Sequence, residues 1–154
     1  MSDNRQRPEQ LQALQRWQSS QLEEARITKT QLEAEAADHL STLSRIQSEI
    51  DELQSLARQQ TQTDAPLNPE ALLRMTAFSG LQQQRLHGAE DQHRAAAQRV
   101  EDAQVFVLHL FQQLSLVERL IERRREAAQT EQQRQSQKEL DEGALSRAPH
   151  NDGT

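Results

Sequence analysis

The sequence predicts an all-α protein: a long antiparallel two-helix coiled coil, an α-hairpin, with helix two overhanging helix one. Three observations predict it. Aromatic residues make up 3% of the 154, with 4 Gly and 4 Pro, which is the usage of long helices rather than of a globular core. Mean hydropathy is only −0.95, yet the apolar residues recur at steps of three and four, which separates the chain from a disordered one. One strong loop signal, TQTDAPLNPE over 61–70, divides two such periodic stretches. A single short turn makes the two helices antiparallel neighbours.

Helix one is expected over about 8–61, after a polar tail at 1–7 expected to be disordered. Its seam runs Leu32, Ala36, His39, Leu43, Ile46, Ile50, Leu53 and Ala57. Upstream it passes Lys29, Ala25 and Leu22, and is expected to slip near Gln18 before Leu14 and Leu11. The turn spans 62–68. Asn68 is a good helix N-cap, and Pro69 suits the first helical position, where its missing N–H costs little. Helix two is expected over about 69–142. One register carries it from Leu72 and Met75 through Leu86, Ala89, His93 and Ala96 to Leu114, Val117 and Ile121. Gly143 reads as a helix stop with Pro149 beyond, leaving 143–154 as a second disordered tail.

Pairing outward from the turn sets Leu53 near Met75 and Leu43 near Leu86. Leu14 and Trp17 fall near Leu114 and Leu110. Helix one ends at Pro8, opposite about Glu122, and helix two continues for about 20 residues, roughly 30 Å. That overhang is charged and Gln-rich.

Other classes are disfavoured. The net charge is −6 with both signs interspersed, unlike the basic footprint of a nucleic-acid binder. Cysteine is absent, so no disulfide or thiolate metal site is expected. The segment MSDNRQRPEQ has no apolar signal core, and VFVLHLFQQLSLVERLI is too short and polar to insert in a bilayer. His39 and His93 read as a polar layer that fixes register, since a metal needs more ligands. In RLHGAEDQH, Gly88 reads as a local flexible point. The basic run RRRE (123–126) reads as a solvated face, with Glu122, Glu126 and Glu131 in helical reach. No phosphate loop, nucleophile–base pair or carboxylate pair is visible, so neither enzyme activity nor a cofactor is expected.

One segment exceeds the needs of a two-stranded seam. Between 105 and 121 the apolar residues include Val105, Phe106, Leu108, Phe111, Leu116 and Leu120 beside the seam positions. Opposite lie only Leu11, Leu14, Trp17 and Leu22. Such a surplus points to a partner, a third helix or self-association.

Three stretches resemble the FliJ family, the coiled-coil component of the bacterial flagellar export apparatus, and its injectisome counterparts. LNPEALLRMTAF is similar to that family's segment after the turn, with Phe78 at its recurrent aromatic. VERLIERRREAAQTEQQRQSQKELDE (117–142) is similar to its C-terminal pattern, and LEEARI (22–27) to its first helix. The family's Tyr residues flanking the turn are missing here, and Ser79 replaces an aliphatic residue. The resemblance implies a cytoplasmic, non-enzymatic stalk, peripheral at the inner face of the membrane and not inserted in it. It would promote assembly of the hexameric export ATPase and link that ring to the transmembrane export gate, with export chaperones as further partners. Ring contacts are expected at Phe106, Phe111, Leu120, Arg123, Arg124, Arg125, Arg134 and Lys138, with Glu131 as counter-charge. Gate contacts are expected near the turn, at Leu53, Met75 and Phe78. The alternatives are an injectisome stalk, or an unrelated coiled-coil scaffold or export chaperone.

Overall fold

The computed structural model describes residues 7–62 and 68–147. The outer parts of both expected tails, and turn residues 63–67, lie outside the described residues. Every described residue except Arg7 and Asn68 is α-helical. Helix α1 is Pro8–Gln62 and helix α2 is Pro69–Arg147.

Both helices start where the sequence places them, for local reasons. Pro8 and Pro69 occupy first helical positions, and Glu9 and Glu70 put a carboxylate in each first turn, where the helix dipole favours it. The Asn68 side-chain Oδ1 accepts the Glu70 N–H at 3.1 Å. Its carbonyl accepts the first helical N–H, from Leu72, at 3.1 Å. The far end of α2 differs from expectation. The helix passes through Gly143 to Arg147. A glycine stops a helix by turning left-handed, and no described glycine has positive φ. Instead, Ser146 Oγ donates to the Gly143 carbonyl, and Arg147 supplies a cation to the last turn.

The chain forms two compact units. One joins the residues up to Gln21 with those from Leu110 onward; the other is Leu22–His109. In the Leu22–His109 unit the core is Ile46, Ile50 and Ala89, with Leu43 and Leu86 packed against them. These are seam positions of both helices, paired as the heptads require. Among the described residues of this unit, the ion pairs Glu49–Arg85 at 3.4 Å and Glu35–Arg99 at 3.7 Å join the helices. As the Glu number falls the Arg number rises, so the helices run antiparallel. All four residues directly precede a first seam position, the g position of the heptad. The ladder therefore places g opposite g along one flank. Gln82 is buried in the seam, where its Oε1 accepts from Arg85 Nη1 at 3.2 Å. His39 and His93 share a layer by this register, and the buried His93 Nδ1 has no hydrogen-bond partner.

In the other unit the paired part of α1 is short. Leu11 is 2% exposed and Leu114 is 8%. The seam of α1 does not slip there. It proceeds from Leu11 through half-buried Gln15 and Gln18 at unbroken steps of four and three. Trp17 is left outside it and is 60% exposed. The expected packing of Trp17 against the seam is thus corrected: polar residues hold the register and the aromatic faces outward. The cost of that choice is visible, because the buried Gln18 Oε1 has no hydrogen-bond partner. Pairing also extends further along α2 than Glu122. Pro8, Leu11 and Gln12 line a groove of about 220 Å³ with Ile121, Arg124, Arg125 and Ala128.

Candidate partner-binding surfaces

Beyond Ala128 the seam of α2 turns polar. Continuing its steps of three and four reaches Glu131, Gln135, Lys138 and Glu142. With no apolar residue at these seam positions, the helix is held by its own side chains, and Leu140 and Leu145 are exposed. Arg134 Nη2 donates to Glu131 Oε1 at 3.2 Å and Gln137 Nε2 donates to Asp141 Oδ1 at 3.2 Å. From Gln129 to Arg147 every residue is exposed except Gly143. This is the expected overhang. Such short-range pairs are each worth a few tenths of a kcal/mol, so the segment has little stability of its own to oppose binding in a new environment.

The predicted ring contacts do not form one surface. Arg134 and Lys138 lie on the bare helix, where Glu131 is already ion-paired with Arg134. Arg125 pairs with Glu122 at 3.7 Å. Arg124 occupies a seam position and lines the groove beneath Pro8 and Leu11, so it belongs to the mouth of the paired region. Extending the heptad three residues past Ile121 identifies it from sequence. Leu120 and Arg123 project from the g and c positions, on one flank of the seam. Phe111 projects from an e position on the opposite flank. All are exposed except half-buried Arg124. Phe106, likewise exposed, is at a g position in the Leu22–His109 unit.

The residues predicted near the turn do come together. Leu53, Met75 and Phe78 line a groove of about 110 Å³ with Ile50, Gln54, Ala57, Ser79 and Gln82. Ser79, in a seam position, is too short to fill the layer beside Leu53, and the partly exposed Phe78 edges the opening. A missing side chain in the seam and an aromatic at its rim make a shallow apolar depression.

Among the described residues there is no group of three or more His, Cys, Asp or Glu arranged to hold a metal. No described helix is long and apolar enough to cross a membrane. Compared with protein-family models, with curated proteins and with solved structures, the chain matches none.

Proposed function

We propose that this chain is a non-enzymatic central stalk of a bacterial flagellar-type protein-export ATPase. On this reading it promotes assembly of the hexameric ring and couples it to the transmembrane export gate. The observation that carries the proposal is the bare helix after Ala128. Its seam is polar, its charges of both signs are exposed, and it follows a paired region with no apolar surface left to offer α1. A helix of this kind suits a surrounding of polar and charged groups, such as the inside of a protein ring. The same residues carry the resemblance to FliJ. Arg125, Arg134 and Lys138 are the proposed contacts to acidic groups of the ring. The groove of Leu53, Met75 and Phe78 is the proposed contact to the gate. Coupling is then a difference in affinity of the stalk for alternative ring states.

The test is a chain ending at Thr130, compared with the full chain for helicity, stimulation of the cognate ATPase and export. The expected result is a retained fold with loss of stimulation and export. Retained stimulation would refute the role of the bare helix. A second reading, a coiled-coil scaffold unrelated to export, is favoured by the exposed apolar residues Phe111 and Leu116. It predicts partner capture without any effect on ATPase activity. Whether a flagellar or an injectisome ATPase is stimulated separates the two export systems.

A further inference from the structure

In the paired part of the unit built from the residues up to Gln21 and from Leu110 onward, the c and g positions form a second seam beside the first. On α1 it runs Gln10, Leu14, Trp17 and Gln21. On α2 it runs Gln113, Leu116, Leu120 and Arg123. Both follow steps of three and four, and both set two apolar residues between polar ends. The apolar residues are not covered. Trp17 is 60% exposed, Leu116 63% and Leu120 39%, and Leu14 is half-buried. Counting from Leu11 and Ile121, which share a groove, puts Gln10 about level with Arg123 and Trp17 about level with Leu116. Leu14 and Leu120 lie between. The charges at c, f and g positions are all on α2: Arg123 in the seam, with Arg119 and Glu126 exposed at f positions on its border. From Gln10 to Gln21, α1 carries no charge at these positions.

We propose that two copies of this chain pair through this seam, side by side and in the same direction, so that α1 of each faces α2 of the other. Helices packed on two faces in this way make a four-helix bundle. The two-fold axis runs between Leu14, Leu120 and their counterparts. Trp17 of one copy meets Leu116 of the second, and the Arg123 guanidinium meets the Gln10 amide of the second copy. A two-fold interface must be complementary to itself, and this seam is. Apolar residues meet apolar ones and polar ends meet polar ends. Because α1 is uncharged here, no charge of α2 meets a like charge. The other pairings bring like charges together. Reversing one copy sets α2 against α2, and with Leu116 on Leu120 it brings Arg119 onto Arg119. The opposite flank, of b and e positions, sets Glu9 about level with Glu122 of the second copy. The seam is shorter than a standard interface of about 800 Å² per partner, so the dimer is weak, with a dissociation constant on the order of 10 μM. This proposal rests on the paired region, not on the bare helix, and stands whether or not the chain enters a ring.

Trp17 is the single Trp, so its emission reads the site directly. The full-length chain is examined by sedimentation equilibrium and by Trp emission from about 0.5 μM to about 500 μM, a range that spans the expected dissociation constant. Mass should rise from monomer to dimer and stop there, and emission should shift to the blue over the same range. Leu116→Asp should weaken association at least about tenfold, while circular dichroism shows its helicity unchanged. Cysteine is absent, so single cysteines report the direction of pairing without background. Gln10→Cys and Arg123→Cys leave the apolar centre intact. Mixed at high concentration and treated with a short bis-maleimide, they should link to each other. Neither should link to itself, and Arg123→Cys should not link to Gln113→Cys. The proposal is overturned if the chain stays monomeric throughout, or if it associates with Trp17 emission unchanged. It is also overturned if Leu116→Asp associates as the parent does. A link between positions 123 and 113 would show the reversed pairing and refute the one proposed here.

Discussion

Replacing Gln18 with Leu should stabilise the chain, although it removes a polar residue from a seam that polar residues help to define. Gln18 is half-buried in α1, at the register level of Leu114, which is 8% exposed. Its Oε1 is buried without a hydrogen-bond partner. Leaving such a group unpaired costs about 1–3 kcal/mol. Leu is close to Gln in volume and adds apolar contact with Leu114, at about 25 cal/mol per Å² newly buried. The net gain should be about 1–3 kcal/mol. For a chain of this size a gain of 1 kcal/mol raises the melting midpoint by about 2–4 °C, so the midpoint should rise by roughly 2–12 °C. The assay is thermal and urea unfolding followed by circular dichroism, with Gln12→Leu as an exposed control that should change little. If Gln18→Leu melts at or below the parent temperature, the unpaired oxygen is not a cost and the assigned seam is wrong. Sedimentation of the same variant tests the counterpart, because a single polar seam residue can restrict pairing to one register and assembly state. Broadened or larger assemblies from Gln18→Leu would show that Gln18 serves that restriction.

Ile46→Ala, in the core with Ile50 and Ala89, should lose about 2–5 kcal/mol, whereas Ile27→Ala, at a half-exposed site, should lose well under 1 kcal/mol; urea midpoints compare them. Arg85→Ala leaves Gln82 Oε1 without its donor and removes the pair with Glu49, so it should cost about 1–2 kcal/mol, against almost nothing for Arg94→Ala, whose pair with Asp91 is exposed on one helix. Gly88→Ala should stabilise by up to about 1 kcal/mol, since an added Cβ meets nothing within 4 Å; a loss would mean that the position must bend. Ending the chain at Thr130 should change the urea midpoint hardly at all, because among the described residues of the removed segment no apolar side chain is buried.

Much of this architecture was legible because coiled coils state their pairing in their spacing. Leu43 and Leu86 pack on one cluster, and Leu53 and Met75 line one groove, as counting from the turn requires. The Asn68–Pro69 step marks a helix start that depends on local hydrogen bonds alone. What spacing did not reveal was where polarity overrides it. An apolar search favours Leu14 and Trp17 over Gln15 and Gln18, and so infers a slip that the helix does not make. It also groups Phe111 with Leu120 by composition, although they sit on opposite flanks of the seam. Gly143 misled for a different reason: glycine permits a left-handed stop without imposing one. The bare helix was legible as a seam that loses its apolar residues after Ala128.

The two interhelical ion pairs have a consequence for how the helices find their alignment. Glu35 and Glu49 are two heptads apart on α1, and Arg85 and Arg99 are two heptads apart on α2. They act as a coarse vernier. Sliding one helix by a single heptad keeps apolar steps against apolar steps but takes both pairs out of coincidence. Sliding by two heptads restores one pair and strands the other. Each exposed pair is worth only about 0.2–1 kcal/mol, so the vernier ranks alignments rather than forbidding them. Its marks are also unlike on the two rulers, carboxylates on α1 and guanidiniums on α2. An encounter of α1 with another α1 would oppose Glu to Glu, and one of α2 with α2 would oppose Arg to Arg. During folding, that penalty steers each helix toward the other kind.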